Sequence, residues 1–236
     1  MGIGEKVVIY GRMIRFSHSV FALPFAYAAV AIASLSHEVA AGDLLLILLA
    51  MVSARSAAMG FNRLVDREID ARNPRTAARE LPRGVISVAA TVLFVALSSA
   101  VFLFAAGKLN VSALRLAPFA LAYILLYSYT KRFTWACNLL LGAAIGLAPI
   151  GAWIAVTGEW SLLGVLLWVI VALWVGGFDV IYACLDYEHD ISHGLHSIPA
   201  KWGLEKGLRA AKAMHVAALG LMLVVFFAAS LHFAYL

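Results

Sequence analysis

Asn62-Arg63-Leu64-Val65-Asp66-Arg67-Glu68-Ile69-Asp70 closes a long apolar run, and the reading of this stretch decides the fold. Asn62, Asp66 and Asp70 recur at every fourth residue. At about 100° per residue, that spacing keeps all three within roughly 80° of one helix face. A second stretch repeats the device. Leu185-Asp186-Tyr187-Glu188-His189-Asp190 matches Val65-Asp66-Arg67-Glu68-Ile69-Asp70 in the frame Asp-x-Glu-x-Asp after an apolar residue. Each stretch follows an apolar helix and precedes a polar loop. Two carboxylate pairs from two helices make an oxygen-lined site suited to Mg²⁺, which binds through a few carboxylates plus substrate phosphates.

Working outward, the 236 residues are 64% hydrophobic and only 13% charged, with a mean hydropathy of +0.92. Soluble domains are nearer 45–50% apolar and about 25% charged. The chain therefore reads as an all-α, multi-span membrane protein, since its apolar runs are too long and unbroken for a barrel's alternating strands. The net charge of +5 is concentrated in a few loops. It signals topology and phosphate binding, and no nucleic-acid partner is expected. Cys137 and Cys184 are the only cysteines and lack metal-ligand spacing, so both are expected as reduced, unbonded thiols.

The expected spans are residues 16–35, 43–64, 85–106, 114–129, 135–156, 162–185 and 206–235, seven in all, each near the length that crosses a bilayer. Residues 1–15 form a short amphipathic lead rather than a cleaved leader. The most charged loop is expected over residues 66–84, with Arg67, Arg72, Arg75, Arg79 and Arg83. Gly142, Gly146 and Gly151 in the fifth span allow close helix approach. Lys and Arg gather at the N-terminus and in the loops after spans two, four and six. By the positive-inside rule, the N-terminus and both acidic stretches face the cytoplasm.

Ionised carboxylates at membrane depth are costly and usually mark function. A diphosphate explains the mixture of signs: Mg²⁺ bridges it to carboxylates, while guanidinium and ammonium groups neutralise its outer oxygens. Arg67, Arg72, Arg75, Arg79 and Lys131 are candidates for those contacts, against a plain role as cytoplasmic loop charge. Arg55 lies seven residues before Asn62 and shares its face, two turns deeper. It either binds an acidic acceptor, such as an aromatic carboxylate, or pairs with Asp179, which stands seven residues before Asp186. Trp135, Trp153, Trp168 and Trp174 are candidates to line a tunnel, against a plain role in packing or at the interface. The seven histidines share no zinc spacing, and His189 with His193 reads as a loop pair. No P-loop and no nucleophile elbow is present.

With Asn62-x-x-x-Asp66-x-x-x-Asp70 and Asp186-x-x-x-Asp190 in this order, the chain resembles the UbiA superfamily of intramembrane prenyltransferases. Tyr127-x-x-x-Lys131 is similar to that family's third motif. Phe16-Ser17-His18, Ala22-Leu23-Pro24-Phe25, Asn73-Pro74-Arg75-Thr76 and Ser197-Ile198-Pro199 resemble the 4-hydroxybenzoate polyprenyltransferase branch. The resemblance implies one domain over residues 1–236, built as a helical bundle around a central cavity with a lateral opening for the lipid tail. It implies that Asp66, Asp70, Asp186 and Asp190 hold Mg²⁺ against a polyprenyl diphosphate. Asn62 joins them, and Tyr127 and Lys131 stand near the diphosphate. The implied chemistry is ionisation to an allylic cation, followed by attack from an electron-rich aromatic acid. The acceptor is a hydroxybenzoate of ubiquinone biosynthesis or a dihydroxynaphthoate of menaquinone biosynthesis. The expected partners are thus a polyprenyl diphosphate, an aromatic acid and membrane lipid. Seven spans, against the family's usual nine, imply a chain shortened at its C-terminal end. A reading from another class, a cation transporter using the acidic pairs, places ion sites nearer mid-membrane than these helix ends.

Overall fold

The computed structural model describes residues 2–15 and 19–232. Among them there is no strand. The helices are α1 (Ile3–Met13), α2 (Ser19–Ala33), α3 (Ala41–Arg72), α4 (Val88–Leu109), α5 (Val111–Leu126), α6 (Cys137–Thr157), α7 (Leu162–Ala183), α8 (Tyr187–Ser192), α9 (Ile198–Trp202) and α10 (Leu204–Ala228). Short 3₁₀ segments at Tyr127–Arg132 and Cys184–Asp186 follow α5 and α7. Six helices are long and apolar enough to cross a membrane, so the all-α, multi-span reading stands. The first expected span is the shorter α2, whose 15 residues cover only about 22 Å at 1.5 Å each. Phe16, Ser17 and His18, which carried part of the resemblance, lie outside the described residues, as does Tyr235 at the end of the seventh expected span.

The chain divides into two compact units. The first takes Met1–Pro24 and Ala41–Ser128, hence α1, α3, α4 and α5. Its buried cluster joins Met13, Ile14, Leu81 and Ile86, with Tyr10, Met59, Leu64 and Phe94 packed against them. The amphipathic lead and the loop after α3 are therefore folded onto one apolar seat rather than left in solvent. Tyr10 stacks on Phe94 with ring centroids 5.1 Å apart. Ser87 caps α4 and Asn110 caps α5, each side-chain oxygen accepting from a first-turn amide.

α3 runs eight residues further than the apolar pattern alone suggests, so the charged loop begins at Asn73 and not at Asp66. The cause is local. Asn62 and Asp66 bond across one helical turn, Arg72 complements the helix dipole in the last turn, and Asn73-Pro74 then bars continuation. The motif is thus an integral part of a rigid helix.

The second unit takes Phe25–Ala40 and Tyr129–Leu236. Here α6 lies against α7 at backbone contact. A Cβ at Gly142 would strike the Ala172 carbonyl oxygen, and one at Gly146 would lie 2.7 Å from the Trp168 carbonyl oxygen. Gly151, expected to serve the same purpose, meets nothing within 4 Å. α7 in turn packs on α10, where His215 Nε2 lies 3.1 Å from the Trp174 carbonyl oxygen. Gly158 ends α6 at φ +75°, a left-handed cap that a side chain would disfavour. Val180, Ile198, Ala211 and Met214 form the buried cluster beneath α9.

Candidate functional site

In the first unit the last turns of α3 carry a buried set of charges. Asp66 is 2% exposed, and Asp70 and Arg63 are each 4% exposed. Asn62 Nδ2 donates to Asp66 Oδ2 at 3.1 Å. Arg79 Nη1, from the following loop, donates to both oxygens of Asp70 at 2.7 and 2.6 Å. Arg63 Nη1 lies 4.0 Å from Asp70 Oδ2, and its Nε donates to the Met13 carbonyl at 3.2 Å. Thr76 Oγ1 donates to the Asp70 carbonyl at 3.0 Å. The Asn73 side chain accepts from the Arg75 amide at 2.9 Å. The loop is therefore turned back onto the helix it leaves, through charge-assisted bonds that make the buried carboxylates tolerable.

The other cations divide by exposure. Arg67, Arg72 and Arg75 are exposed, and Arg67 stands 3.5 Å from Glu68. Arg55 is half-buried two turns before Asn62, and its buried Nε has no hydrogen-bond partner. Tyr127, in the same unit, is also half-buried. A buried donor left without a partner asks for an explanation, and an incoming acceptor is one.

In the second unit Asp179 accepts from Asn138 Nδ2 at 2.8 Å. Asn138 is 2% exposed, and its Oδ1 accepts from the Ile198 amide at 3.0 Å. One side chain thus ties α6, α7 and α9. Asp186 and Asp190 straddle the change from 3₁₀ to α geometry at Tyr187. Ser197 Oγ donates to Asp190 Oδ2 at 3.4 Å, and His189 Nδ1 lies 3.9 Å from Asp190 Oδ1. Lys131, Asp186 and Asp190 all act electrostatically on Asp179. Lys131 is fixed by its carbonyl, which accepts from the His196 amide at 2.7 Å. The His189 and His193 rings stack at 4.2 Å.

Tyr127 and Lys131 sit in 3₁₀ geometry. There, four residues turn the chain through about 120°, against about 40° in an α-helix. The pair does not share a face as an α-helical reading of that spacing would have it.

The structure brings Asn62 to Asp66, Arg79 to Asp70, and Lys131 to the Asp179, Asp186 and Asp190 group. Sequence reasoning assigned no role to Arg63 or Asn138, and noted Thr76 and Ser197 only within segments of family resemblance. Arg63 lies within the first acidic stretch, and Asn138 is a polar residue opening an apolar run. The segments holding Thr76 and Ser197 carried resemblance, but nothing in them pointed to bonds with the Asp70 carbonyl or the Asp190 carboxylate. Among the described residues no three His, Cys, Asp or Glu side chains form a ready-made metal cage. The donors are nonetheless hard oxygens: Asp66 and Asp70 beside Asn62, and separately Asp186 and Asp190. That set fits Mg²⁺, which prefers one or two carboxylates and substrate phosphates to an all-protein cage.

The UbiA prenyltransferase family model matches residues 22–236. The 4-hydroxybenzoate octaprenyltransferase of Vibrio atlanticus is 34% identical over 161 residues, 68% of this chain and 56% of that protein. The chain thus spans little more than half the length of that relative. A solved UbiA homologue from Aeropyrum pernix K1 aligns at a TM-score of 0.87 and 38% identity, over 93% of this chain and 82% of that one. A UbiA homologue from Archaeoglobus fulgidus, solved bound to DMAPP and Mg²⁺, aligns at 0.74 and 22% identity, over 96% and 80%. At that identity the likeness is one of fold alone.

Proposed function

Since this chain belongs to the UbiA prenyltransferase family, we propose that it transfers a polyprenyl group from a polyprenyl diphosphate to a 4-hydroxybenzoate-like aromatic acid, with Mg²⁺ as cofactor. The observation that carries the reading is the buried set of opposite charges at the end of α3, where Asp66 and Asp70 meet Asn62, Arg63 and Arg79. Carboxylates alone repel a diphosphate, and guanidinium groups alone cannot seat a divalent cation. A site holding both suits the two together.

Asp66, Asp70, Asp186 and Asp190 would hold the metal, with Asn62 orienting Asp66. The metal supplies charge neutralisation for the departing diphosphate. Arg79, Arg67, Arg72 and Lys131, with the Tyr127 hydroxyl, take the outer phosphate oxygens. The carbon–oxygen bond of the prenyl ester breaks with its electron pair going to the diphosphate. A ring carbon of the acceptor then closes on the allylic cation, and the ring proton is lost. Arg55 is assigned to the acceptor carboxylate, since its half-buried guanidinium keeps an unpartnered Nε. Asp179, fixed by Asn138, continues the polar stripe below Asp186.

The name of the Vibrio relative and the DMAPP and Mg²⁺ held by the Archaeoglobus homologue support this substrate pairing. A 4-hydroxybenzoate-like acceptor would place the reaction in quinone biosynthesis. Loop charge supports an inner-membrane protein with its N-terminus and site on the cytoplasmic side. The test is turnover by the whole chain in lipid nanodiscs, with Mg²⁺, a polyprenyl diphosphate and either 4-hydroxybenzoate or 1,4-dihydroxy-2-naphthoate. Product with 4-hydroxybenzoate is expected. Product with the naphthoate alone moves the acceptor to the menaquinone type, and product with neither overturns the proposal.

A further inference from the structure

The position of Asp70 bears on how metal and diphosphate enter. Asp70 is 4% exposed, and both its oxygens accept from Arg79 Nη1. Arg63 holds a second guanidinium 4.0 Å away and is itself pinned by the Met13 carbonyl. A cation approaching Asp70 therefore meets the repulsion of two guanidinium groups, at low dielectric, where such repulsion is least screened. Asp66, one turn earlier on the same helix, accepts from the neutral amide of Asn62.

The two arginines are not equally fixed. Arg63 belongs to a helix, is buried, and is bound at its Nε. Arg79 belongs to the loop after α3 and is half-buried. The loop backbone is anchored separately, by Thr76 on the Asp70 carbonyl and by the Asn73 side chain on the Arg75 amide. The Arg79 side chain can therefore leave Asp70 without unfolding the loop. A diphosphate offers it adjacent oxygens with more negative charge, and its planar guanidinium has further donors to engage them.

We propose that Arg79 exchanges partners, passing from Asp70 to the incoming diphosphate, so that Asp70 becomes a metal ligand only when the diphosphate arrives. This rests on the prenyl-diphosphate reading of the site. The exchange conserves charge pairing: Arg79 keeps an anion, and Asp70 takes the metal in place of the guanidinium. Each ligand opens the place of the other, so the coupling between them is reciprocal.

The experiment is Mn²⁺ binding to the whole chain in detergent, followed by electron paramagnetic resonance, with and without geranyl S-thiolodiphosphate, whose carbon–sulfur bond resists ionisation. In the wild type, the analogue should tighten Mn²⁺ binding by about tenfold or more. In Arg79→Gln, Mn²⁺ alone should bind about threefold or more tighter than to wild type, and enhancement by the analogue should fall below about threefold. Arg79→Lys keeps the charge and loses the planar guanidinium with its extra donors, and should show an intermediate enhancement. It decides the matter if the Gln variant does not elute as a folded species. Wild-type enhancement in the variants, or equal Mn²⁺ affinity in the wild type with and without the analogue, overturns the exchange and leaves the functional reading standing. No Mn²⁺ binding by any form under any condition overturns both.

Discussion

Asp66 and Arg63 sit three residues apart on α3, both buried, and they answer to different tests. Asp66 has a neutral neighbour in Asn62. Replacing it with Asn keeps the volume and removes the charge that draws a cation. Asp66→Asn should lower turnover by roughly a hundredfold or more, with unchanged elution and helical circular dichroism. Retained turnover would remove Asp66 from the metal site. Arg63 touches the Met13 carbonyl and faces Asp70. Arg63→Met keeps the stem and deletes the guanidinium, leaving a buried acceptor and a carboxylate held from one side. It should destabilise the protein by about 3 kcal/mol, read as a lowered thermal midpoint in detergent. An unchanged midpoint would show that the Met13 tie carries no stability. The sequence made Asp66 legible because intramembrane carboxylates at helical spacing are rare. It did not make Arg63 legible, because an arginine beside a membrane helix end is ordinary until the carbonyl it binds, fifty positions away, is known.

At the scale of elements, hydropathy located the membrane helices because a crossing helix must bury a long apolar run. It placed α4, α6 and α7 to within a few residues. It misjudged the end of α3, since a charged amphipathic continuation of a helix and a charged loop look alike in composition. The 3₁₀ turns at Tyr127–Arg132 and Cys184–Asp186 were illegible for a related reason. Segments of six and three residues are too short for a period of 3.0 to be told from 3.6. The α6–α7 contact was half legible: three glycines drew notice, and two lie at the backbone contact. Gly142→Ala should therefore cost about 2 kcal/mol by overpacking, offsetting the helix propensity gained. Gly151→Ala, in open space, should lie within about 0.5 kcal/mol of neutral or be slightly stabilising. Thermal unfolding of the two variants side by side checks the pair, and equal midpoints would refute the contact.

For the molecule as a whole, loop charge predicts sidedness that helix packing cannot supply. With Cys137 and Cys184 replaced by Ser, cysteines at Ala78 and His193 should react with an impermeant maleimide from one face of the membrane only. A cysteine at Glu159 should react from the other. All three positions are exposed. Reaction of all three from one face would leave the positive-inside reading without support.

The length of α3 has its own consequence. Its 32 residues extend about 48 Å, well beyond the roughly 30 Å of hydrocarbon in a bilayer. The turns that carry Asn62, Asp66 and Asp70 lie at and beyond the end of its apolar run. On the proposed reading the donor keeps its phosphates among the lipid headgroups and its tail submerged, and a helix this long would meet it there without hoisting it out of the leaflet. Recognition is then confined to the wet end of the lipid, and donors differing by several isoprene units present the protein with the same handle.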